Sequence, residues 1–451
     1  MAEEVAELAA AEARRLVHTA AALATGDGQE SQPGVLEAIE RAAQHSAAQI
    51  GLAAIAGVVD WAGQRTLSRT TCAHPDHPDD RPGCLSGRGA RLVARRTKTV
   101  NTLLGGVEVT RGYYHCAVCK HGFAPLDTRL GVAGTSLSPG LARACALAGA
   151  EMAYDKSGEF IATVTGLDLA STSTLARATR THGARARDLI ATEQAAARPS
   201  PAAAATICGP DLCYLVIDGT GAPMLPSQCQ GREGKNGGRA GTREVKIGCL
   251  FTQTSCDPAT GDPVQDPGSV SYISTFEPAS TFATQAKGEY HRRGFDQIRQ
   301  PIVLGDGAKW IWAIAEEHFP HATQIVDYFH AREHLADLTK LLTPILGDTT
   351  AIATTVESLD LDQSAPELLK PAQTEAGYFL TNHHRMQYAD LRANGYYIGS
   401  GPVESACNTI VKQRAKRAGM HWTIDGLDPV LALRTLHQSG RDDLLWPTPQ
   451  N

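Results

Sequence analysis

"LCYLVIDGTG", residues 212–221, is an apolar run that stops at a carboxylate followed by a glycine. A short run bounded by turn residues predicts a buried strand, here ending at Asp218 in a glycine turn. "QPIVLGDGAKW" (300–310) repeats the arrangement and ends its strand at Asp306, again before a glycine. Around these two, "REVKIGCLFTQ" (243–253), "SVSYISTFE" (269–277) and "ATQIVDYFH" (322–330) predict further strands. "TFATQAKGEYHRRG" (281–294), "WIWAIAEEHF" (310–319) and "AREHLADLTKLLTPIL" (331–346) predict helices. The order β-β-β-α-β-α-β-α describes an α/β sheet with carboxylates at strand ends. Ligands of such sheets tend to sit at the C-terminal strand edge. Each Asp-Gly taken alone is also an ordinary turn.

A third carboxylate comes from "IGSGPVESACN" (398–408). Gly399, Ser400 and Gly401 read as a tight turn, Pro402 suits a first helical position, and Glu404 falls in the first turn of a helix. An acid there also complements the helix dipole. Taken together, Asp218, Asp306 and Glu404 form a set of hard oxygen ligands that suits Mg²⁺ or Mn²⁺. Two such ions about 3.5–4 Å apart support in-line phosphoryl displacement. The later cations of the same helix (Lys412, Arg414, Lys416 and Arg417) would then lie along a nucleic-acid strand.

The chain has 451 residues, 42% hydrophobic and 20% charged, values of a globular protein with two to four domains. No uninterrupted apolar run reaches the ~18 residues of a membrane span. The N-terminus starts acidic with helical spacing, unlike a signal peptide, so the expected location is the cytoplasm, at the nucleoid, with no membrane partner. The formal net charge of -6 argues against a general nucleic-acid coat, yet positive charge is concentrated locally. "RGARLVARRTK" (88–98, with Arg95, Arg96 and Lys98) has five cations and no acid, and "ARATRTHGARAR" (176–187, with Arg177 and Arg180) has four. Each run is equally readable as a solvated face.

Residues 1–65 predict two or three helices broken near 26–34. Residues 66–135 change to a turn-rich stretch and a basic strand pair turned at Gly105-Gly106. Residues 136–200 are helical again, opened by Ser138-Pro139, with a second helix ended by Gly166 and a third capped by Ser171. That segment is a candidate helix-turn-helix carrying Arg177 and Arg180. A linker at 197–205 precedes a domain at 206–440, with a helical insertion at about 335–395. Trp310, Trp312 and Trp422 are candidates for stacking on a base or for core packing.

The 11 cysteines are an odd number in a long chain, which favours thiols and metal ligands over a disulfide framework. "CAVC" places Cys116 and Cys119 as a tight thiolate clip after a strand, with Cys72 and Cys84 upstream across the hairpin. Four thiolates would hold one structural Zn²⁺. His74 or His77 stand as alternatives within the first pair.

"YLVIDGTGAPM", "REVKIGCLFTQ", "VLGDGAKWIWAIAEEHFPHATQIVDYFHAREHL", "YIGSGPVESACNTIVKQRAKRAGMHW" and "LALR" give the chain, from about residue 66 to 436, its likeness to a known family. It resembles the DDE transposases of bacterial insertion sequences, in the Mutator-like group named after the Kra element. The resemblance implies a ribonuclease-H-like catalytic domain with a helical insertion; with the helical N-terminus, zinc-binding β-hairpin module and helical DNA-binding segment read above, the expected protein is α+β and multi-domain. It implies Asp218, Asp306 and Glu404 as the catalytic triad on Mg²⁺ or Mn²⁺. "DYFH" matches the family's Asp/Cys-x-x-His signature and puts Asp327 and His330 beside the site, where His330 would contact a phosphate or orient water. A strand-end acid and a packed histidine are the ordinary alternative. The implied partners are double-stranded DNA (terminal inverted repeats and target DNA) and a second copy of the chain on that DNA.

Two features depart from the family pattern. The stretch 347–377 is short and lacks an expected tryptophan, and Asn408 stands where a lysine is expected. Two rival readings therefore stand beside an active transposase: an inactive, domesticated DNA-binding relative, and a ribonuclease-H-like nuclease without strand transfer.

Overall fold

The computed structural model describes residues 2–24, 35–72, 89–199, 211–234, 237–346 and 366–447. The chain divides into two compact units, Met1–Thr179 and Arg180–Asn451, and the division falls inside the long helix Thr172–Ala196.

The first unit opens with the helices Ala2–Ala24 and Val35–Gln64. The expected break at 26–34 lies outside the described residues. Val35–Gln64 is long and apolar enough to cross a membrane by length and composition. It holds no uninterrupted apolar run of that length, because the block Gln44-His45-Ser46 and then Gln49 interrupt its Ala, Ile and Leu. Its C-terminal part packs Val59 with Val100, Val109, Leu126 and Val132. A Cβ on Gly63 would sit 2.1 Å from the Thr110 carbonyl oxygen, so only glycine lets the helix end approach the strand this closely.

That strand belongs to a long antiparallel hairpin, Ala90–Thr102 with Gly105–Cys116. The turn falls at Leu103 and Leu104, earlier than the glycine pair suggested. Gly105 instead opens the second strand at φ 131°. The short strands Arg69–Thr70 and Gly122–Phe123 flank the hairpin to complete a four-stranded sheet. Three helix signals are realised as read. Ser138 Oγ accepts the Leu141 N–H (3.2 Å), Gly166 is left-handed at the end of Tyr154–Thr165, and Ser171 Oγ accepts the Thr174 N–H (3.3 Å).

The second unit holds a five-stranded mixed sheet. From one edge its strands are Thr323–Val326, Gln300–Gly305, Leu212–Pro223, Thr242–Gln253 and Ser271–Thr275. The first three are mutually parallel, and Thr242–Gln253 alone runs against the rest. Leu212–Pro223 does not end at Asp218. It continues past both glycines, with Asp218 opposite Ile247 and Gly219 opposite Lys246. The long antiparallel ladder overrides the turn preference of Asp-Gly.

Tyr214, Val216, Ile302, Leu304 and Ile325 form one face of the sheet, packed on Val403, Ala406, Ile410, Val430 and Leu431. Leu215, Ile217, Val303 and Val326 form the other, packed on Phe282, Ala286, Ile311 and Ala315. Strands buried on both faces read as continuous apolar runs, which is why the sequence pattern found them. Of the expected insertion, Pro366–Asn382 and Tyr388–Ala393 are helical, and 347–365 lie outside the described residues.

Candidate functional site

Side chains alternate along a strand, so residues two apart share a face. Asp218 follows Val216 by two, Asp306 follows Leu304, and Asp327 follows Ile325. All three acids therefore share the face covered by residues 401–415. The register aligns them. Gly305 lies opposite both Ile217 and Val326, so the next residues along three adjacent parallel strands are Asp218, Asp306 and Asp327.

Each acid is held differently. Asp306 Oδ1 accepts the Ala308 N–H (2.9 Å). The adjoining Gly307 has φ 99°, and a Cβ there would lie 2.5 Å from the Tyr378 ring. The Tyr378 hydroxyl donates to the Asp306 carbonyl (3.0 Å), so the helix Pro366–Asn382 reaches the site through this residue. Asp218 accepts from the Gly219 N–H (2.6 Å) and from the Cys407 thiol (3.2 Å). Burial pushes its carboxyl above the usual range, those two donors pull against it, and Asp306 raises it further. Asp327 is fully buried. Burial alone would raise its pKa, yet bonds from His330 (3.2 Å), Ser400 (2.6 Å) and the Phe329 N–H (3.0 Å) outweigh it and hold the carboxyl low. The same Asp327 bond, against burial, pushes His330 up to about 9, so the imidazole is a cation at neutral pH.

Glu404 sits in the first turn of Gly401–Ala406, its N–H donating to the Ser400 carbonyl (3.0 Å). Its Oε1 lies 2.7 Å from Ser400 Oγ, and that hydroxyl lies 2.6 Å from Asp327 Oδ2. One hydroxyl has one proton, so Ser400 donates to one carboxylate at a time. Ligand atoms of Asp327, His330 and Glu404 all fall within 4.8 Å of one another, and Asp218 and Asp306 are not members of that group. Glu404 thus rests beside Asp327, while Asp218 lies electrostatically coupled to Asp306 and His330. The Glu404 side chain is exposed.

The helix of Glu404 then widens into a π-turn, Cys407–Lys412, before Gln413–Ala415. Single π-turns frequently mark functional sites. This one places the Cys407 thiol on Asp218. Arg434, buried to 1% exposure, donates through Nε to the carbonyls of Thr409 and Ile410 (both 3.0 Å), where the helical ladder is interrupted.

Among the expected nucleic-acid contacts, Lys412, Lys416 and Arg417 are exposed, and Lys416 donates to Thr220 Oγ1 (3.0 Å). Arg414 is not available to a strand. It is wholly buried, stacked 4.8 Å over Trp422, with Nη1 on the Met420 sulfur (3.7 Å). The extra residue of the π-turn shifts the phase of the next helical residues, which regular helical spacing did not anticipate. In the first unit, Lys98 serves as an internal brace, donating to the Val132 carbonyl (2.6 Å) near Asp127 (3.7 Å). Arg95 donates to the carbonyls of Gly63 and Gln64 at a helix end (both 3.2 Å), and Arg96 stacks 3.7 Å over Tyr113. Both keep exposed surface, as do Arg177 and Arg180. Trp312 is core, under the Arg385 guanidinium (4.5 Å).

Cys72, Cys116 and Cys119 bring their sulfurs within 4.8 Å of one another, and Cys84, His74 and His77 lie outside the described residues. Ser400, Cys407, Tyr378 and Arg434 were not singled out from sequence. Ser400 before Gly-Pro carried a legible cap signal, and Cys407 lies three residues after Glu404, on the same helix face.

No family model matches the chain, and no curated protein matches it. Three chains among solved structures do. One is the Drosophila P element transposase strand transfer complex, 11% identical, covering 67% of this chain and 79% of that one at a TM-score of 0.23. A TM-score that low carries no argument. The fold itself is a mixed α/β protein of more than one unit.

Proposed function

We propose that the chain is a DNA transposase, with a carboxylate phosphoryl-transfer centre in a ribonuclease-H-like second unit. The observation that carries this reading is the level alignment of Asp218, Asp306 and Asp327 on the one sheet face that the Glu404 helix covers. A five-stranded sheet with only its second strand reversed is also the sheet expected of a ribonuclease-H-like domain.

The donor set fits Mg²⁺ or Mn²⁺: its members are carboxylate oxygens, and burial of Asp218 leaves an acid whose charge a cation would stabilise. When bound at Asp218, Asp306 and Glu404, such ions would supply an activated oxygen nucleophile and stabilisation of the leaving oxygen. The chain's own residues do the positioning. Gly219 and Cys407 orient Asp218, Tyr378 and Ala308 fix Asp306, and Ser400 sets the resting direction of Glu404. The His330 cation and Lys416 present positive charge to a phosphate. Double-stranded DNA, both element ends and target, is the partner, and two copies on paired ends are expected. Such a protein would act at the bacterial nucleoid.

The test is incubation of purified protein with DNA carrying the element's own ends and Mg²⁺. Nicks leaving 3′-hydroxyls and their joining to target DNA are expected. Nicking without joining would leave a nuclease, and end-binding without nicking would leave a domesticated binder.

Ser400→Ala is expected to lower both cleavage and Mn²⁺ affinity by about 10–100-fold, the usual effect of removing a residue that orients a ligand. Ser400→Thr, which keeps the hydroxyl, should recover most of it. Calorimetric titration with Mn²⁺ checks this, and an alanine variant with unchanged Mn²⁺ affinity would remove Ser400 from the site.

A further inference from the structure

We infer that Cys72, Cys116 and Cys119 supply three of the four ligands of a zinc ion that staples one end of the four-stranded sheet in the first unit. This inference does not rest on the transposase reading. The three sulfurs lie within 4.8 Å of one another, and Cys72 Sγ is 3.5 Å from Cys119 Sγ. Thiolates on a tetrahedral zinc at about 2.3 Å each stand about 3.8 Å apart. The observed separation is close to that value and far beyond the ~2.05 Å of a disulfide.

The chain around the thiols is shaped for such a clip. Cys116 ends the strand Gly105–Cys116, and its N–H donates to the His121 carbonyl (2.9 Å), closing a tight loop that carries Cys119. Lys120, next to Cys119, has φ 58° and is the single non-glycine residue at positive φ among the described residues. A bulky residue takes that conformation only where its surroundings impose it.

The sheet also needs a staple. Its outer strands, Arg69–Thr70 and Gly122–Phe123, have two residues each. Two ladder positions do not hold a strand. The apolar cluster beneath is small, with Ala90, Tyr114, Val118 and Phe123 beside the cysteines themselves. Small modules with so little core rely on metals or disulfides for stability. A zinc ion joined to Cys72, just past one outer strand, and to Cys116 and Cys119, just before the other, ties both to the hairpin.

The test uses the full chain, purified without added metal under reducing conditions. Elemental analysis should give about one zinc per chain, falling to near zero in Cys119→Ser. Because that variant risks misfolding, wild-type protein is also alkylated with and without a chelator of zinc, and the modified cysteines are mapped by mass spectrometry. Protection of Cys72, Cys116 and Cys119 that the chelator abolishes is the expected result. Zinc-free protein with a cooperative unfolding transition would overturn the inference. So would a Cys72–Cys119 disulfide in protein handled without reductant, or equal alkylation of the three thiols with and without the chelator.

Discussion

Asp218→Asn is expected to leave DNA ends bound and uncut, with cleavage reduced about 10³-fold or more, equivalent to about 4 kcal/mol of transition-state stabilisation. The substitution keeps volume and one acceptor oxygen for the Gly219 N–H, removes the charge, and replaces the oxygen that accepts the Cys407 thiol with an amide NH₂ that can donate to the sulfur instead. Folding should not suffer. Asp218 has its carboxyl raised by burial, so its ionised form is disfavoured in the fold. A carboxyl raised on folding costs stability at neutral pH, and the cost fades as pH falls through its folded value. Asparagine removes that cost, so metal-free Asp218→Asn should melt no lower than wild type near pH 7. Mn²⁺ should then raise the melting temperature of wild type and barely move the variant. Cleavage by Asp218→Asn within tenfold of wild type would end the assignment of this acid to the reaction.

The placement of Asp218 shows both what sequence made legible and what it did not. Its arrival on the sheet was readable from "YLVI", because a strand buried on both faces must be apolar throughout. Its position within a continuing strand was not, because local Asp-Gly chemistry argues for a turn and only the distant partner strand, Thr242–Gln253, overrules it. Asp306, which directly follows its strand, was placed well by the same local reasoning, whereas Asp327 was read inside a strand running on to His330 and in fact follows the last strand residue, Val326, with the helix Tyr328–Leu346 beginning just after it. Glu404 was legible from Pro402 and the helix-start pattern. Its bridge to Asp327 through Ser400 was not, since that contact joins residues 73 apart. Tyr378 carried no signal at all, being a tyrosine on an amphipathic helix like any other. Arg414 shows the opposite failure: regular spacing gave it an exposed face, and a π-turn that no spacing rule foresees buried it.

The same π-turn yields the second large effect. Arg434→Met is expected to lower folding stability by about 2–6 kcal/mol, the sum over two stranded carbonyls. Arg434 lies on Ile424–Gln438, among Leu427, Val430, Leu431 and Leu436, all nearly or fully buried. A guanidinium there would be strongly unfavourable unless each of its protons found an acceptor. Its acceptors include the Thr409 and Ile410 carbonyls, open to it because Cys407–Lys412 departs from regular α-helical bonding. Methionine fills similar volume and is apolar, so the loss is not a cavity. It is the stranding of two buried carbonyls, each worth roughly 1–3 kcal/mol when left without a donor. Lysine would not rescue, because an ammonium cannot reproduce the Nε and Nη2 N–H groups that the planar guanidinium turns together onto Thr409 and Ile410. The effect should extend to the site. Cys407 begins the turn and donates to Asp218, so a turn that relaxes to regular helix withdraws the thiol. Urea unfolding of Arg434→Met, Arg434→Lys and wild type measures the first consequence, and Mn²⁺ titration of the folded variants measures the second. A methionine variant within about 0.5 kcal/mol of wild type, the range of ordinary surface substitutions, would mean that the π-turn stands without Arg434.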